Sequence, residues 1–427
     1  MSIGKPNLKT FCPAPWFQIR SDNNRDKKPC CEITFDSNPL KEEPIDYLNS
    51  DHLIKLKKEL HSGIKSKECQ RCWFKEDNGF QSQRQGLLNI ITNGKSYEDS
   101  WVNSFFKQKT NYNSDFLASA DITVGNTCNF SCIMCNPENS SQIYNDWSKR
   151  QDSEFVKDIL AVDKNYFSTI KNFSFKNDYY RKFINNIFDT TNNLLWLRLL
   201  GGEPLLDNNL LKKIKELPSR QKNKLKLSFI TNGSVDLNKT LDYIEGKKFK
   251  HVQINVSLEG IGEIQEYARY GSNWKQIEKN ILQVQTYSKN VHLNLTYVVQ
   301  TPTIMRLKDL LMWVKKHNIF FTISQLYTPE YLSLKSLPKE LNDTIKEDLS
   351  KFTDVIRQNA DIDQENEILS GEQFIKILDD SSSNFDQLLF KKYLRYIKWY
   401  EENKNIPTLS QIIPEWAPYF KNIKNLS

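Results

Sequence analysis

The chain has 427 residues, enough for two or three domains with sizeable cores, and its 38% hydrophobic and 12% aromatic content excludes a disordered polymer. Its net charge of +7, from 59 basic and 52 acidic residues, is spread along the sequence, so a nucleic-acid binder is possible but not favoured. No stretch approaches the roughly 18 apolar residues of a membrane span, and the opening MSIGKPNLKTFCPAPW lacks the core of a secretory signal, which predicts a cytoplasmic protein with no membrane contact.

Residues 1–112 read as a small cysteine-rich domain. They hold Cys12, Cys30, Cys31, Cys69 and Cys72, several turns, and one clear amphipathic helix at Asp51–Ser62. The other three cysteines follow by position 135, and none lies beyond it. Thiols so placed in a cytoplasmic chain predict metal ligands rather than disulfides. The segment looks too poor in apolar residues to hold itself together, so a metal site is expected to supply stability.

Residues 113–332 alternate β-rich apolar runs with helical patterns. Strands are predicted at Asp121–Val124, Leu195–Leu200, Lys226–Ile230, Val252–Leu258, Val291–Val299 and Phe320–Leu326. Amphipathic segments such as Asn209–Leu217, Trp274–Ser288 and Met305–His317 lie between them. This alternation predicts an α/β fold: parallel strands joined by helical crossovers, six units making a partial (β/α)6 TIM-like barrel. An insertion at about 138–190 reads as helical, and the Lys-rich run Lys212–Lys226 as a wet helix face. Residues 333–427 read as a helical C-terminal extension, with helices at Lys339–Gln358, Glu372–Leu378 and Phe385–Glu402 before the aromatic segment Pro414–Phe420.

Chemistry concentrates where barrel loops should begin. CNFSCIMC carries Cys128, Cys132 and Cys135 just after the first predicted strand. Three neighbouring thiolates can hold three irons of a [4Fe–4S] cubane and leave the fourth open to a ligand. The alternatives are small core residues on one helix stripe, or zinc, for which this loop offers no fourth ligand. Gly201-Gly202-Glu203-Pro204 follows the second strand, where glycines admit close backbone approach and a carboxylate can receive an amine. Thr231-Asn232-Gly233 follows the third strand, and Ser257-Leu258-Glu259-Gly260 ends the fourth. Each could be an ordinary turn, but four in register are collectively strong.

This series resembles the radical S-adenosylmethionine superfamily over about 115–330. The resemblance implies that Cys128, Cys132 and Cys135 hold a [4Fe–4S] cluster whose open iron binds S-adenosylmethionine, which is cleaved reductively to a 5′-deoxyadenosyl radical. It implies that Gly201, Gly202 and Glu203 meet the methionine amino group, and Thr231 and Ser257 the carboxylate or ribose. Arg269 is either a planar fork for the carboxylate or a surface ion pair. Met134 stands where many members carry an aromatic.

The N-terminal cysteines look like a twitch or SPASM type of auxiliary domain. That implies a second [4Fe–4S] cluster on Cys12, Cys69, Cys72 and one of Cys30 and Cys31, with structural zinc as the alternative. The spare thiol is either a hydrogen-atom donor to a substrate radical or simply a buried group. By the same resemblance the substrate is a peptide or protein, and the electron donor a flavodoxin or ferredoxin. Radical chemistry on a sugar, nucleoside or RNA, or a non-catalytic iron–sulfur or zinc scaffold, are the alternatives.

Overall fold

A computed structural model describes residues 2–21, 27–34, 44–77, 79, 81–160, 165–170, 178–189, 193–326, 328–359, 378–379 and 384–421. Its strands are β1 (Gln18–Ser21), β2 (Lys27–Lys28), β3 (Ser119–Thr123), β4 (Ser131–Cys132), β5 (Trp196–Leu200), β6 (Lys226–Thr231), β7 (His251–Leu258), β8 (Arg269–Tyr270), β9 (Val291–Val299) and β10 (Phe320–Gln325). The chain divides into two compact units. One comprises Met1–Thr127, Thr169–Phe229 and Ile244–Val252; the other comprises Cys128–Ser168, Ile230–Tyr243 and Gln253–Ser427.

In the first unit the strand order is β2-β1-β3-β5-β6. β3 pairs with β1 and with β5, and β5 with β6, all parallel; only β2 runs antiparallel, on β1. One sheet face is apolar and buried, carrying Ile19, Ala120, Ile122, Leu197, Leu199, Leu227 and Phe229. The alternate positions carry polar groups, as the two-residue period of a strand requires. In the second unit β7, β9 and β10 lie side by side, with β9 and β10 parallel over six residue pairs. The α/β class with a mostly parallel sheet is therefore observed. All six predicted strands form, within two residues at each end.

Two features differ from expectation. β1 comes from the cysteine-rich segment, where no strand was expected. That segment also has an apolar core of its own, in which Phe11 and Trp16 each pack edge to face on Phe106, and Phe17 on Trp101 and Phe105. Aromatic rings bury much area per residue, so a low count of aliphatic side chains understated the core. Of the predicted tail helices, Glu372–Leu378 falls almost wholly outside the described residues, while Lys339–Asn359 and Gln387–Lys404 are helical. No helix among the described residues is long and apolar enough to cross a membrane.

Under the aromatic core lies the buried Lys57, whose ammonium donates to the Leu48 and Tyr112 carbonyls and the Ser114 hydroxyl at 2.6, 3.0 and 2.8 Å. Burial, together with the Lys109 charge, lowers its pKa to about 7. An unfolded lysine keeps its proton to about 10.4, so between these values the unfolded state binds more protons and stability rises with pH. Relative to Lys57→Met, the native chain is expected to gain stability from about pH 7 to about pH 9 in urea titrations. An unchanged difference between the two proteins would show that Lys57 stays charged.

Candidate active site

Cys128, Cys132 and Cys135 sit on a loop that the second unit holds from three sides. Inside it, β4 pairs antiparallel with β8, setting Cys132 opposite Arg269. Arg269 Nη1 donates to Cys132 Sγ at 3.8 Å, and Nη2 pairs with Glu259 Oε1 at 2.8 Å. Asn232 Nδ2 lies 3.9 Å from Cys128 Sγ and donates to Asn129 Oδ1 at 2.9 Å. Burial pushes the Cys132 thiol up to about 12, with Arg269 opposing and Cys128 adding to the rise. Cys135 is raised by burial and then by Cys132 and Cys128, so the three thiols feel one another. The ion pair foreseen for Arg269 exists, but it is buried: Glu259 is 0% exposed.

The third support was not foreseen. In the helix Gln387–Lys404, the Tyr396 hydroxyl donates to the Ile133 carbonyl at 2.6 Å, and the Tyr400 hydroxyl to the Ser131 and Tyr267 carbonyls at 3.4 and 2.9 Å. Lys404 donates to Ser131 Oγ at 2.7 Å and pairs with Asp146. An amphipathic helix with tyrosines on its apolar face reads as plain packing, and no sequence signal marks the hydroxyls as loop clamps. Tyr396→Phe is expected to cost about 1–2 kcal/mol by leaving a buried carbonyl without its donor. Denaturant melts should show this loss together with faster release of bound iron; unchanged iron retention would make Tyr396 a packing residue only.

The other signatures are placed as follows. Gly202 N donates to the Gly125 carbonyl at 2.8 Å and Glu203 N to the Thr127 carbonyl at 2.7 Å. A Cβ on Gly202 would lie 2.2 Å from the Thr127 oxygen, so this glycine is required by the neighbouring backbone itself. The buried Glu203 accepts from Leu205 N at 3.1 Å, capping the turn that follows β5. Thr231 Oγ1 accepts from Gly233 N at 3.1 Å. Ser257 lies on the half-exposed face of β7. Beyond it, Glu259 turns inward to Arg269 and to Gln300 Nε2 at 2.8 Å, and Arg269 Nε and Gln300 Oε1 are buried with no partner among the described residues.

In the first unit Cys12, Cys30, Cys69 and Cys72 act on one another. After burial, the largest influence, Cys12 is raised by Cys69 and Cys72, Cys30 by Cys31, Cys12 and Cys72, and Cys69 by Cys30 and Cys72. The charges acting on Cys31 are different ones: Arg20, Asp121, Arg198 and Glu32. The Arg84 guanidinium, paired with Glu76 at 2.6 Å and donating to the Phe11 carbonyl at 2.8 Å, ties the segments bearing these cysteines together.

No family model matches the chain. The radical SAM cyclopropyl synthase TigE of Paramaledivibacter caminithermalis is 26% identical to it over 187 residues, 43% of this chain and 36% of that protein. The radical S-adenosylmethionine superfamily is what this match supports. The matched part is little more than a third of that relative's length. Among solved structures, tagged anSMEcpe with bound AdoMet gives a TM-score of 0.37 at 18% identity, covering 56% of this chain and 61% of that one. Streptococcus suis SuiB bound to the precursor peptide SuiA gives 0.33 at 16% identity, covering 56% and 47%.

A radical S-adenosylmethionine enzyme implies an iron–sulfur cluster, and the donor set of the loop fits one. It offers thiols alone, already close enough to influence one another, with a guanidinium able to donate to a sulfur. Among the described residues no three His, Cys, Asp or Glu side chains are drawn together as around a single ion. Cubane ligands stand farther apart than that, because irons and sulfides lie between them.

Proposed function

We propose that this chain is a radical S-adenosylmethionine enzyme that modifies a peptide or protein side chain by hydrogen abstraction. The observation that carries this reading is the buried loop presenting three mutually interacting thiols and no fourth, with Arg269 donating to one of them. Three thiolates leave one iron of a cubane open, which suits a bound substrate or cofactor better than electron transfer alone. When bound, the cluster supplies the electron that splits S-adenosylmethionine and yields the hydrogen-abstracting radical.

The chain's own groups orient and shield that chemistry. Arg269 and Asn232 donate towards the ligand sulfurs, while Tyr396, Tyr400 and Lys404 fix the loop backbone. Gly201, Gly202 and Glu203, with Thr231 and Ser257, are the proposed contacts of S-adenosylmethionine. Arg269 engages Glu259 and Cys132 with two of its five donors, and those left, Nε among them, are the proposed donors to a ligand carboxylate.

Cys12, Cys30, Cys69 and Cys72 are the proposed ligands of an auxiliary [4Fe–4S] cluster, and Cys31 is the proposed spare thiol. Their mutual influence supports this choice, as does the different set of charges around Cys31. A flavodoxin or ferredoxin is the proposed reductant. Anaerobic reconstitution with iron and sulfide, then reduction with S-adenosylmethionine present, tests the reading. Methionine and 5′-deoxyadenosine in equal amounts are expected; a fully loaded sample that forms neither refutes it.

A further inference from the structure

The polar face of the first unit's sheet carries a row of charges that the cofactor reading does not use. Arg20 on β1, Asp121 on β3 and Arg198 on β5 are register partners, so their side chains stand side by side across three parallel strands. Asp121 Oδ2 accepts from Arg20 Nη1 at 2.8 Å and from Arg198 Nη1 at 3.4 Å. Asp121 is 3% exposed, and its other oxygen, Oδ1, is buried with no hydrogen-bond partner among the described residues. Such an oxygen is costly unless a donor reaches it.

A second cation crowds the same place. Arg198 lies with its guanidinium carbon 4.1 Å from the centre of the Trp196 ring, and Lys226, the register partner of Trp196 on β6, has its ammonium 5.7 Å from that centre. Burial and the Arg198 charge both lower the Lys226 pKa, so the two cations work against each other. Asp121 engages only one of the five donors of Arg198, and the described residues give Lys226 no acceptor. Two half-buried cations against one indole, beside a carboxylate oxygen that no described residue reaches with a donor, make an incomplete arrangement. A ligand that brings a carboxylate for Arg198 and Lys226, and an N–H for Asp121 Oδ1, completes it. An N-acylated amino acid has that pairing, and so does a peptide at its C-terminus or at an acidic side chain.

We propose that Arg198, Lys226 and Asp121 form a substrate-anchoring site for a peptide carboxylate with a neighbouring N–H. This deepens the peptide-enzyme reading and rests on it.

Calorimetric titration of the full chain with N-acetylalanine, with the α-methylamide of N-acetylaspartate, and with inorganic phosphate tests the site. Saturable binding of a carboxylate probe is expected, weaker at higher salt. The tighter of the two probes tells a C-terminal carboxylate from an acidic side chain. Arg198→Gln is expected to weaken binding about ten- to a hundredfold, the loss of a charge-assisted hydrogen bond. Lys226→Met is expected to weaken it about tenfold and decides alone if the arginine variant does not fold. The proposal is overturned by no saturable binding of either carboxylate, by binding that neither variant alters, or by phosphate binding tighter than both. The titration needs no S-adenosylmethionine cleavage. A parent protein that forms no 5′-deoxyadenosine therefore overturns the enzyme reading by a separate measurement.

Discussion

The triple variant Cys128→Ala, Cys132→Ala, Cys135→Ala is expected to bind about four fewer irons per chain after anaerobic reconstitution and to form no 5′-deoxyadenosine above background. The three thiols share one loop, so removing them deletes the whole proposed ligand set and leaves the first unit's cysteines in place. Residual iron in this variant then reports the auxiliary group by itself. Within that group Cys30→Ala should lose iron, and Cys31→Ala should retain all of it. This follows because Cys30, after burial and its neighbour Cys31, is raised by Cys12 and Cys72, whereas the groups acting on Cys31 are Arg20, Asp121, Arg198 and Glu32. Equal loss from both single variants would remove the distinction between ligand and spare thiol. Full iron content in the triple variant would place the first cluster elsewhere.

Glu259→Ala is expected to destabilise the protein by about 3–5 kcal/mol, the usual cost of leaving a buried ion without its partner. Burial pushes the Glu259 carboxyl up, while Arg269 and Gln300 pull it back, so its charge depends on those two neighbours. Without it, Arg269 keeps a buried charge whose nearest relief is Cys132 Sγ, and Gln300 Nε2 also loses its acceptor. Adding Arg269→Met should recover much of the loss, because removing both ions avoids the unpaired charge. A double-mutant cycle by anaerobic urea denaturation measures the coupling. A single-variant cost below about 1 kcal/mol would mean that water reaches the pair, as at an exposed salt bridge.

The sequence shows the sheet well because its strands are apolar runs with a clear period, as in Leu227–Phe229 or Val291–Val299. It hides β4 and β8, two residues each, because Ser131–Cys132 and Arg269–Tyr270 are strands only by pairing with one another. β1 escaped notice because Gln18–Ser21 is short and polar but for Ile19, and its parallel partner lies a hundred residues further on. The cysteine loop was legible from its spacing together with its place after the first strand and the signatures on the strands that follow, whereas its clamps at Tyr396, Tyr400 and Lys404 were not. The Lys212–Lys226 run misled for a related reason: Lys222 is buried, bound to Glu245 and the Lys215 carbonyl, and Lys226 belongs to a strand. A visible signal did exist for the charged row. Arg198 interrupts Leu197–Leu200, and one charge amid an apolar strand marks a position facing something other than the core.

The clamp on the cysteine loop also sets an order in time. Tyr396 binds the Ile133 carbonyl across 263 residues of chain, a stretch that a ribosome needs roughly 13–53 seconds to make. During that interval Cys128, Cys132 and Cys135 are already synthesised, while the hydroxyls and ammonium that hold their loop do not yet exist. Iron delivered early meets an open, pliable ligand set; iron delivered late meets one already fastened. On the proposed ligation, cluster insertion and docking of the Gln387–Lys404 helix would thus be competing events during the birth of each molecule.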